Sequence, residues 1–253
     1  MPFTLAHVVA ARPSWLMSKR RLPLSAVVVG SVAPDLEYLW HLDTERTIGH
    51  TLGGVFLLDV PLALVLLGLW HGLLKGPVAA LVSPRLRPPI DMAPFPWRPL
   101  RRFGVVVLAV LVGIAGHLLW DGFTHRDGFI TTRVWLLEEA IGRPHVYDLF
   151  NYASTLFGMV LLGWWWWRAV ADQDAGGAVA AGAGLPVVVR NASRASLVVL
   201  TTAGGLGNGF RLRLDGWGVE TTVIGAVLGA MAAGLLGMTV VSAVLRWRGW
   251  AAG

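Results

Sequence analysis

Three side chains that can bind a metal ion recur at a spacing of four residues within the stretch GHLLWDGFTH, residues 116–125. They are His117, Asp121 and His125. A step of four residues turns a helix by about 400°, so the three side chains form one polar stripe. The stripe ends a hydrophobic run that begins at Phe103, and ionisable groups at membrane depth usually mark function or a buried partner. Imidazole and carboxylate groups are ligands of zinc, manganese and iron.

This spacing leaves three interpretations open. His117 and His125 lie two helical turns apart, roughly 12 Å along the axis, which is too far for both to reach one ion from an unbroken helix. Either Gly122 ends the helix and His125 folds back, or Asp121 lies between two metal ions. The third interpretation is a chain of hydrogen-bonded core groups without metal.

The composition is that of a membrane protein. The chain has 253 residues, of which 55% are hydrophobic and 14% are charged. Its mean hydropathy of +0.61 is too high for an ordinary soluble domain. Cysteine is absent, which excludes disulfides and thiolate metal sites. The net charge is +6, but a basic excess in membrane proteins collects in cytoplasmic loops, so we expect no nucleic-acid partner.

The hydrophobic segments predict an all-α, polytopic transmembrane helical bundle of about six spans. Residues 3–17 are too few to cross a bilayer, so this segment predicts an N-terminal interfacial or re-entrant helix, which carries His7. Four consecutive tryptophans, Trp164 to Trp167, are typical of a membrane boundary. The spans are predicted at residues 22–41, 52–74, 103–124, 149–167, 195–210 and 219–245.

Three segments follow from this arrangement. Residues 1–167 are predicted to form a helical core that holds the metal site and includes a basic, proline-rich loop at 75–102. Residues 168–194 are predicted as a linker because they are rich in Ala and Gly. Residues 195–253 are predicted as structural spans, since neither span has an ionisable residue in its core.

The distribution of basic residues predicts the topology. A cytoplasmic N-terminus puts most Lys and Arg residues on the inner side, in agreement with the positive-inside rule. In that topology, side chains of the metal-ligand type from separate segments meet at the outer end of the bundle. These side chains belong to Asp35, Glu37, His41, His50, His117, Asp121 and His125.

Several short motifs together resemble a bacterial family of membrane proteins of unknown function, over residues 1–160. More distantly, their order is similar to the LexA-regulated, inner-membrane, metal-dependent hydrolases. The motifs are Met-Pro-Phe-Thr followed by His7, Gly30-Ser31-Val32-Ala33-Pro34-Asp35, His50-Thr51, Asp59-Val60-Pro61 and His117-Leu-Leu-Trp-Asp121-x-x-Thr-His125.

This resemblance implies a metal-dependent hydrolase in a bacterial inner membrane. The implied ligands are His7, Asp35, His50, His117 and Asp121. The expected cofactor is one or two divalent ions, namely zinc, with manganese or iron as alternatives. Gly49 precedes His50 and Thr51 follows it, so the Thr-His-Ser pattern of the hydrolases is met only in part.

The leading functional hypothesis is hydrolysis of a lipid or lipid-linked ester at the headgroup level, with the bilayer and this substrate as partners. Open metal positions would supply an activated water. The catalytic candidates are Asp35 and Glu37. Glu37 is predicted as the general base, or else as a loop acid or the i+4 partner of His41.

Two other classes of function compete with the hydrolase. A cation or proton transporter would need acids or histidines across the full membrane depth. Beyond the residues at the outer end of the bundle, only Asp59 and His71 offer such groups. The last alternative is a non-catalytic membrane protein in which the polar cluster is structural.

Overall fold

The computed structural model describes residues 4–43, 48–83, 99–141, 144–174 and 185–250, and also 86–88, 90, 92, 95 and 97. This part of the chain is helical and contains no β-strand, which confirms the all-α prediction. Short 3-10 turns lie at Thr4–His7, Ala33–Glu37 and Thr131–Arg133. The helices are α1 Val8–Met17, α2 Leu24–Gly30, α3 Tyr38–His41, α4 Leu52–Leu81, α5 Leu100–Thr124, α6 Trp135–Glu138, α7 Val146–Asp174, α8 Val187–Leu214 and α9 Val219–Trp247.

Three helices in the described residues are long and apolar enough to cross a membrane. They are α4 with 30 residues, α5 with 25 and α9 with 29. Large apolar side chains on these helices face outward; Leu57, for example, is 80% exposed. Helices α7 and α8 are as long but less apolar. Helix α7 carries Asp148, Arg168 and Asp172, and α8 carries Arg190 and Arg194. Length and composition therefore support three of the predicted spans.

The predicted span at residues 22–41 is not one helix. Helix α2 has only seven residues and ends at Gly30. The 3-10 turn Ala33–Glu37 follows, and α3 ends where Leu42 takes a left-handed conformation with φ of 57°. Pro34 explains the break, because proline disfavours helical geometry in the residue before it and lacks the N–H that an α-helix needs.

Helix α4 is longer than its predicted span of 52–74 and contains two wide turns. The π-helical turns Val55–Asp59 and Trp70–Leu74 each precede a proline, Pro61 and Pro77 respectively. A proline cannot donate to the carbonyl four residues earlier and its ring crowds that carbonyl, so widening the preceding turn relieves the conflict. The helix therefore continues through both prolines to Leu81, into the predicted basic loop.

The chain forms two compact units that are interleaved in sequence. The first comprises Met1–Asp35, Ile48–Leu66 and Pro96–Arg168, and the second comprises Leu36–Thr47, Leu67–Phe95 and Ala169–Gly253. Within the predicted linker, residues 168–174 and 187–194 are helical. Its residues 175–184 lie outside the described residues, as do Glu45 and Arg46 of the predicted loop before α4 and Arg85 and Arg98 of the basic loop.

In the first unit, α2 and α5 pack backbone against backbone. Gly30 and Gly113 make this possible because a Cβ at Gly30 would meet the carbonyl oxygen of Val110, and one at Gly113 would meet that of Val27. Neither contact can relax by moving a side chain. The close approach brings the end of α2 beside the part of α5 that carries His117.

In the second unit, α8 and α9 form a close helical pair through small residues. A Cβ at Gly229 would meet the carbonyl oxygen of Gly204. Asn208 of α8 donates a 2.7 Å hydrogen bond to the carbonyl of Gly225 on α9. Gly225 and Gly229 thus form a small-x-x-x-small face along which α9 packs closely against α8.

Candidate metal centre

Six candidate metal ligands lie in the first unit, on four separate pieces of backbone. One 3-10 turn carries His7, a second carries Asp35, and His50 lies in the turn that precedes α4. The C-terminal part of α5 and its cap supply the remaining three: His117, Asp121 and His125.

Asp121 lies at the centre of the cluster and is 5% exposed. Its Oδ1 lies 3.4 Å from His7 Nε2 and 3.5 Å from His125 Nδ1. Its Oδ2 lies 3.4 Å from His50 Nε2 and 3.5 Å from His117 Nε2. The two oxygens therefore face different pairs of imidazoles.

Asp35 faces the same two imidazoles as Asp121 Oδ2. Its Oδ1 lies 3.5 Å from His117 Nε2 and 3.7 Å from His50 Nε2. The residue is 2% exposed, and neither oxygen has a hydrogen-bond partner among the described residues. A buried carboxylate without hydrogen bonds requires a proton or a cation close by.

The backbone of α2's last turn fixes the orientation of His117. The Nδ1 atom lies 2.8 Å from the carbonyl oxygen of Ser31, and a carbonyl can only accept, so Nδ1 carries the hydrogen and donates. The other nitrogen, Nε2, faces Asp35 and Asp121 and makes no hydrogen bond within the described residues. Metal-binding histidines typically have this arrangement, with one nitrogen tied to a carbonyl and the other directed at the ion.

The distances between imidazole and carboxylate atoms are too long for direct hydrogen bonds. The six His–Asp pairs around Asp35 and Asp121 span 3.4–3.7 Å, whereas N–H···O bonds to a carboxylate are about 2.7–2.9 Å long. Ligands at about 2.0–2.1 Å from a tetrahedral zinc ion lie about 3.3 Å from one another. The spacing of the cluster is thus close to that of atoms around an ion.

His7 packs directly against His117. The two rings stack with centroids 3.9 Å apart and planes inclined by 25°. Burial, together with the neighbouring His117, lowers the pKa of His7 to about 3, so its imidazole is neutral. The turn that carries His7 lies against α7, where a Cβ at Gly158 would come within 2.6 Å of Ala6 Cβ.

His125 follows α5 rather than folding back at Gly122. Helix α5 continues through Gly122 to Thr124, and His125 is its C-cap in an extended conformation. Its Nδ1 lies 3.2 Å from the hydroxyl of Thr124 and 3.3 Å from the carbonyl of Asp121. The interpretation in which Gly122 ends the helix is therefore wrong, and His125 approaches Asp121 by leaving the helical path after Thr124.

Two sets of these side chains could hold a metal ion. One set is His7, His117 and Asp121, and the other is Asp35, His50 and His117; within each set the ligand atoms lie within 4.8 Å of one another. His117 belongs to both sets. Ligation by His125, which belongs to neither set, stays a prediction.

Glu37 and His41, also predicted at this end of the bundle, belong to the second unit. Glu37 is fully buried and lies two residues beyond Asp35 in the same 3-10 turn. A step of two residues in such a turn rotates the side chain by about 240°, so it points away from the direction of Asp35. His41 packs edge-on against Trp40. Among the described residues, the sets that could hold a metal include neither side chain.

Some residues that position the cluster give no clear signal in the sequence. The carbonyl of Ser31 orients His117, although the hydroxyl of Ser31 itself bonds to Val28. At the end of α5, Thr131 donates to the carbonyl of Gly122 and Asn151 donates to that of Thr124. These carbonyls belong to the last turn of α5 and have no hydrogen-bond donor within the helix. The two bonds satisfy them and fix the turn that carries Asp121.

A family model described as "Domain of unknown function (DUF4184)" matches residues 1–243. The chain belongs to this family. Membership agrees with the resemblance to membrane proteins of unknown function, and it covers both compact units rather than the first alone. No curated protein and no solved structure matches the chain, so the distant similarity to the LexA-regulated hydrolases has no support from a homologue.

Proposed function

We propose that this chain is a metal-dependent hydrolase that crosses the bacterial inner membrane several times and acts on a lipid or lipid-linked ester at the headgroup level. The observation that carries the proposal is the orientation of His117. Its Nδ1 donates to Ser31, which leaves Nε2 facing two buried carboxylates, those of Asp35 and Asp121.

A bound cation is the simplest way to stabilise that arrangement. A lone pair and two anionic oxygens at 3.5 Å repel one another in a buried site. A proton on Nε2 would draw the oxygens in to hydrogen-bonding distance, about 2.7–2.9 Å. A divalent ion would keep the atoms apart at the observed spacing, and the set of nitrogen and oxygen donors suits zinc, with manganese and iron as alternatives.

Asp121 favours two ions over one. Its Oδ1 faces His7 and His125 while its Oδ2 faces His50 and His117. A carboxylate that presents separate oxygens to separate imidazole pairs can bridge two ions, as in two-metal hydrolases. A divalent ion would supply Lewis acidity and lower the pKa of a water ligand. The residues of this chain would hold and orient the ions.

The position of the cluster favours a substrate with its reactive group near the membrane surface. His117, Asp121 and His125 occupy the last two turns and the cap of α5, which is a candidate span. The side chains of His50 and His125 keep 10% and 11% of their surface exposed, so the cluster is accessible from one edge. An ester at the headgroup level would meet this edge.

Helix α5 also argues against a transport path through the cluster. Between Phe103 and Gly116 the helix carries no ionisable residue. A pathway for protons or cations would need polar groups across the membrane depth. Hydrolysis at one end of the helix needs none.

Elemental analysis and turnover test the proposal together. Full-length protein purified in detergent should contain zinc, manganese or iron, and with labelled bacterial lipid extract it should release a hydrolysed product. Asp121→Asn should lose both the metal and the activity. Asp127→Asn, an exposed acid shortly after α5, should keep both. Wild-type protein without stoichiometric metal would refute the proposal, and metal without turnover of any lipid fraction would refute its hydrolytic part.

A further inference from the structure

Three arginines of the second unit gather at one end of the α8–α9 pair. Arg190 and Arg194 are four residues apart near the start of α8, so they share a face of the helix. Arg246 lies in the last turn of α9, next to Leu245. Leu245 packs in a buried cluster with Leu81 and Leu185.

Residues close in sequence to the arginines of α8 pack against this cluster. Val189 precedes Arg190, and Leu197 lies about one helical turn after Arg194. Arg194 donates to the carbonyl of Leu81 from Nε at 2.7 Å and also from Nη2. Arg194 is therefore held in place by the end of α4.

The other two arginines have buried N–H groups with no acceptor. Arg190 Nε and Arg246 Nε and Nη2 are buried and make no hydrogen bond within the described residues. Nor does any carboxylate in that part of the chain pair with Arg190 or Arg246. A guanidinium always carries its charge, and burying its donors without acceptors is unfavourable. The arrangement calls for an anion that the described part of the chain does not supply.

This end of the second unit has the composition expected at a membrane boundary. Two candidate spans, α4 and α9, end here at Leu81 and Trp247. Trp247 is 81% exposed, and Arg248 lies over its ring and over that of Trp250. Tryptophan next to arginine at the end of a span is typical of the headgroup region.

We propose that Arg190, Arg194 and Arg246 form a binding site for the phosphate group of an anionic phospholipid. Guanidinium groups match phosphate oxygens in geometry and charge, and basic pockets between helices at the membrane surface bind acidic headgroups. The acyl chains would lie along the apolar side chains of α4 and α9. The site is independent of the metal centre and of the hydrolase activity.

Thermal unfolding of the full-length protein in mixed micelles tests the site. Phosphatidylglycerol should raise the unfolding midpoint of the wild type, whereas phosphatidylcholine should not. Arg190→Gln and Arg246→Gln should each raise the apparent Kd for phosphatidylglycerol about fivefold. The double variant should show no rise in its unfolding midpoint with this lipid. Arg248→Gln is the matched control: it removes the same charge at the same membrane level but outside the cluster, and it should keep the shift.

The remaining measurements separate the sources of phosphate and guard against misfolded variants. Inorganic phosphate should not reproduce the shift; an equal shift would overturn the lipid assignment in favour of a soluble anion. Equal weakening by Arg248→Gln and Arg190→Gln would overturn the site in favour of general surface charge. If the glutamine variants fail to fold, Arg190→Lys keeps the charge without the planar donor fork and should bind more weakly. Native mass spectrometry of wild type should also retain phosphatidylglycerol in preference to phosphatidylcholine, and no preference would refute the site.

Discussion

His117 donates a 2.8 Å hydrogen bond from Nδ1 to the backbone carbonyl of Ser31. The two residues lie on different segments, and the close packing of α2 on α5 brings them together. A carbonyl belongs to the backbone, so this contact depends on helix spacing rather than on the identity of the Ser31 side chain. The orientation of one candidate ligand is thus set by the two glycines at the helix crossing, Gly30 and Gly113.

Gly113→Ala should therefore disturb the metal centre without touching a ligand. The new Cβ would come within 2.7 Å of Ser31 N and 2.8 Å of Gly30 C. Both are backbone atoms, so no change of side-chain rotamer can relieve the contact. We expect a loss of about 1–3 kcal/mol in the free energy of unfolding, as for other overpacked cores. We also expect reduced metal content, measured by elemental analysis of the purified variant.

Gly104→Ala is the control for this substitution. It lies on the same helix, and a Cβ there meets nothing within 4 Å. Alanine favours helix over glycine by about 1 kcal/mol, so this variant should be as stable as wild type or more stable, with full metal content. Equal metal content in the two variants would show that the helix spacing does not control His117.

The sequence alone predicts which side chains cluster better than how they are arranged. The four-residue spacing of His117, Asp121 and His125 predicts one polar stripe, and the structure places the two imidazoles beside the Asp121 carboxylate. This feature depends on a local rule, which a sequence expresses directly.

Contacts between distant segments could not be predicted in the same way. The stack of His7 on His117 depends on the fit of Ala6 against Gly158, more than a hundred residues later in the chain. The span at 22–41 was predicted from hydrophobicity, which does not distinguish one long helix from two short ones joined by a turn. The side-chain direction of Glu37 likewise depends on the 3-10 geometry of its turn.

Helix α5 makes a direct prediction of topology. Its 25 residues span about 37 Å, more than the roughly 30 Å thickness of a bilayer core. Single cysteines at Leu100 and Thr132, near its two ends, should therefore react with a membrane-impermeant maleimide from opposite sides. The chain has no cysteine of its own, so no background needs to be removed. The positive-inside rule places Leu100 in the cytoplasm.

Labelling of both cysteines from the same side would show that α5 does not cross the membrane. If Leu100 is instead labelled from outside and Thr132 from the cytoplasm, α5 still crosses the membrane but the topology is inverted. That second result would also put the metal centre at the cytoplasmic surface, and the source of its substrate would change accordingly.

Gly158→Ala should displace His7 although it substitutes none of the candidate metal ligands. The added Cβ would lie 2.6 Å from Ala6 Cβ and 2.9 Å from Ala6 Cα, one residue before His7. The turn must shift, and the stack of His7 on His117 should weaken. We expect metal content to fall in dialysed protein. Gly163→Ala on the same helix meets nothing within 4 Å and should behave as wild type.

The number of ions can be counted by substituting the central carboxylate and its neighbours one at a time. Asp121 presents Oδ1 to His7 and His125 and Oδ2 to His50 and His117. If each oxygen serves one ion, Asp121→Ala should remove both. His117→Ala and His125→Ala should each retain about one ion per chain. Although His117 belongs to both candidate sets, its single available nitrogen, Nε2, can bind only one ion at a time.

His145→Ala provides the control for loss of an imidazole, because His145 is exposed and pairs with Asp148 instead of the cluster. Elemental analysis of the four variants, purified side by side, distinguishes the arrangements. Equal and complete loss in Asp121→Ala, His117→Ala and His125→Ala would indicate a single ion that needs all three residues. Unchanged metal and activity in His125→Ala would remove His125 from the ligand set. In that case Thr124 would be the next residue to substitute, since its hydroxyl is a buried oxygen 3.2 Å from His125 Nδ1.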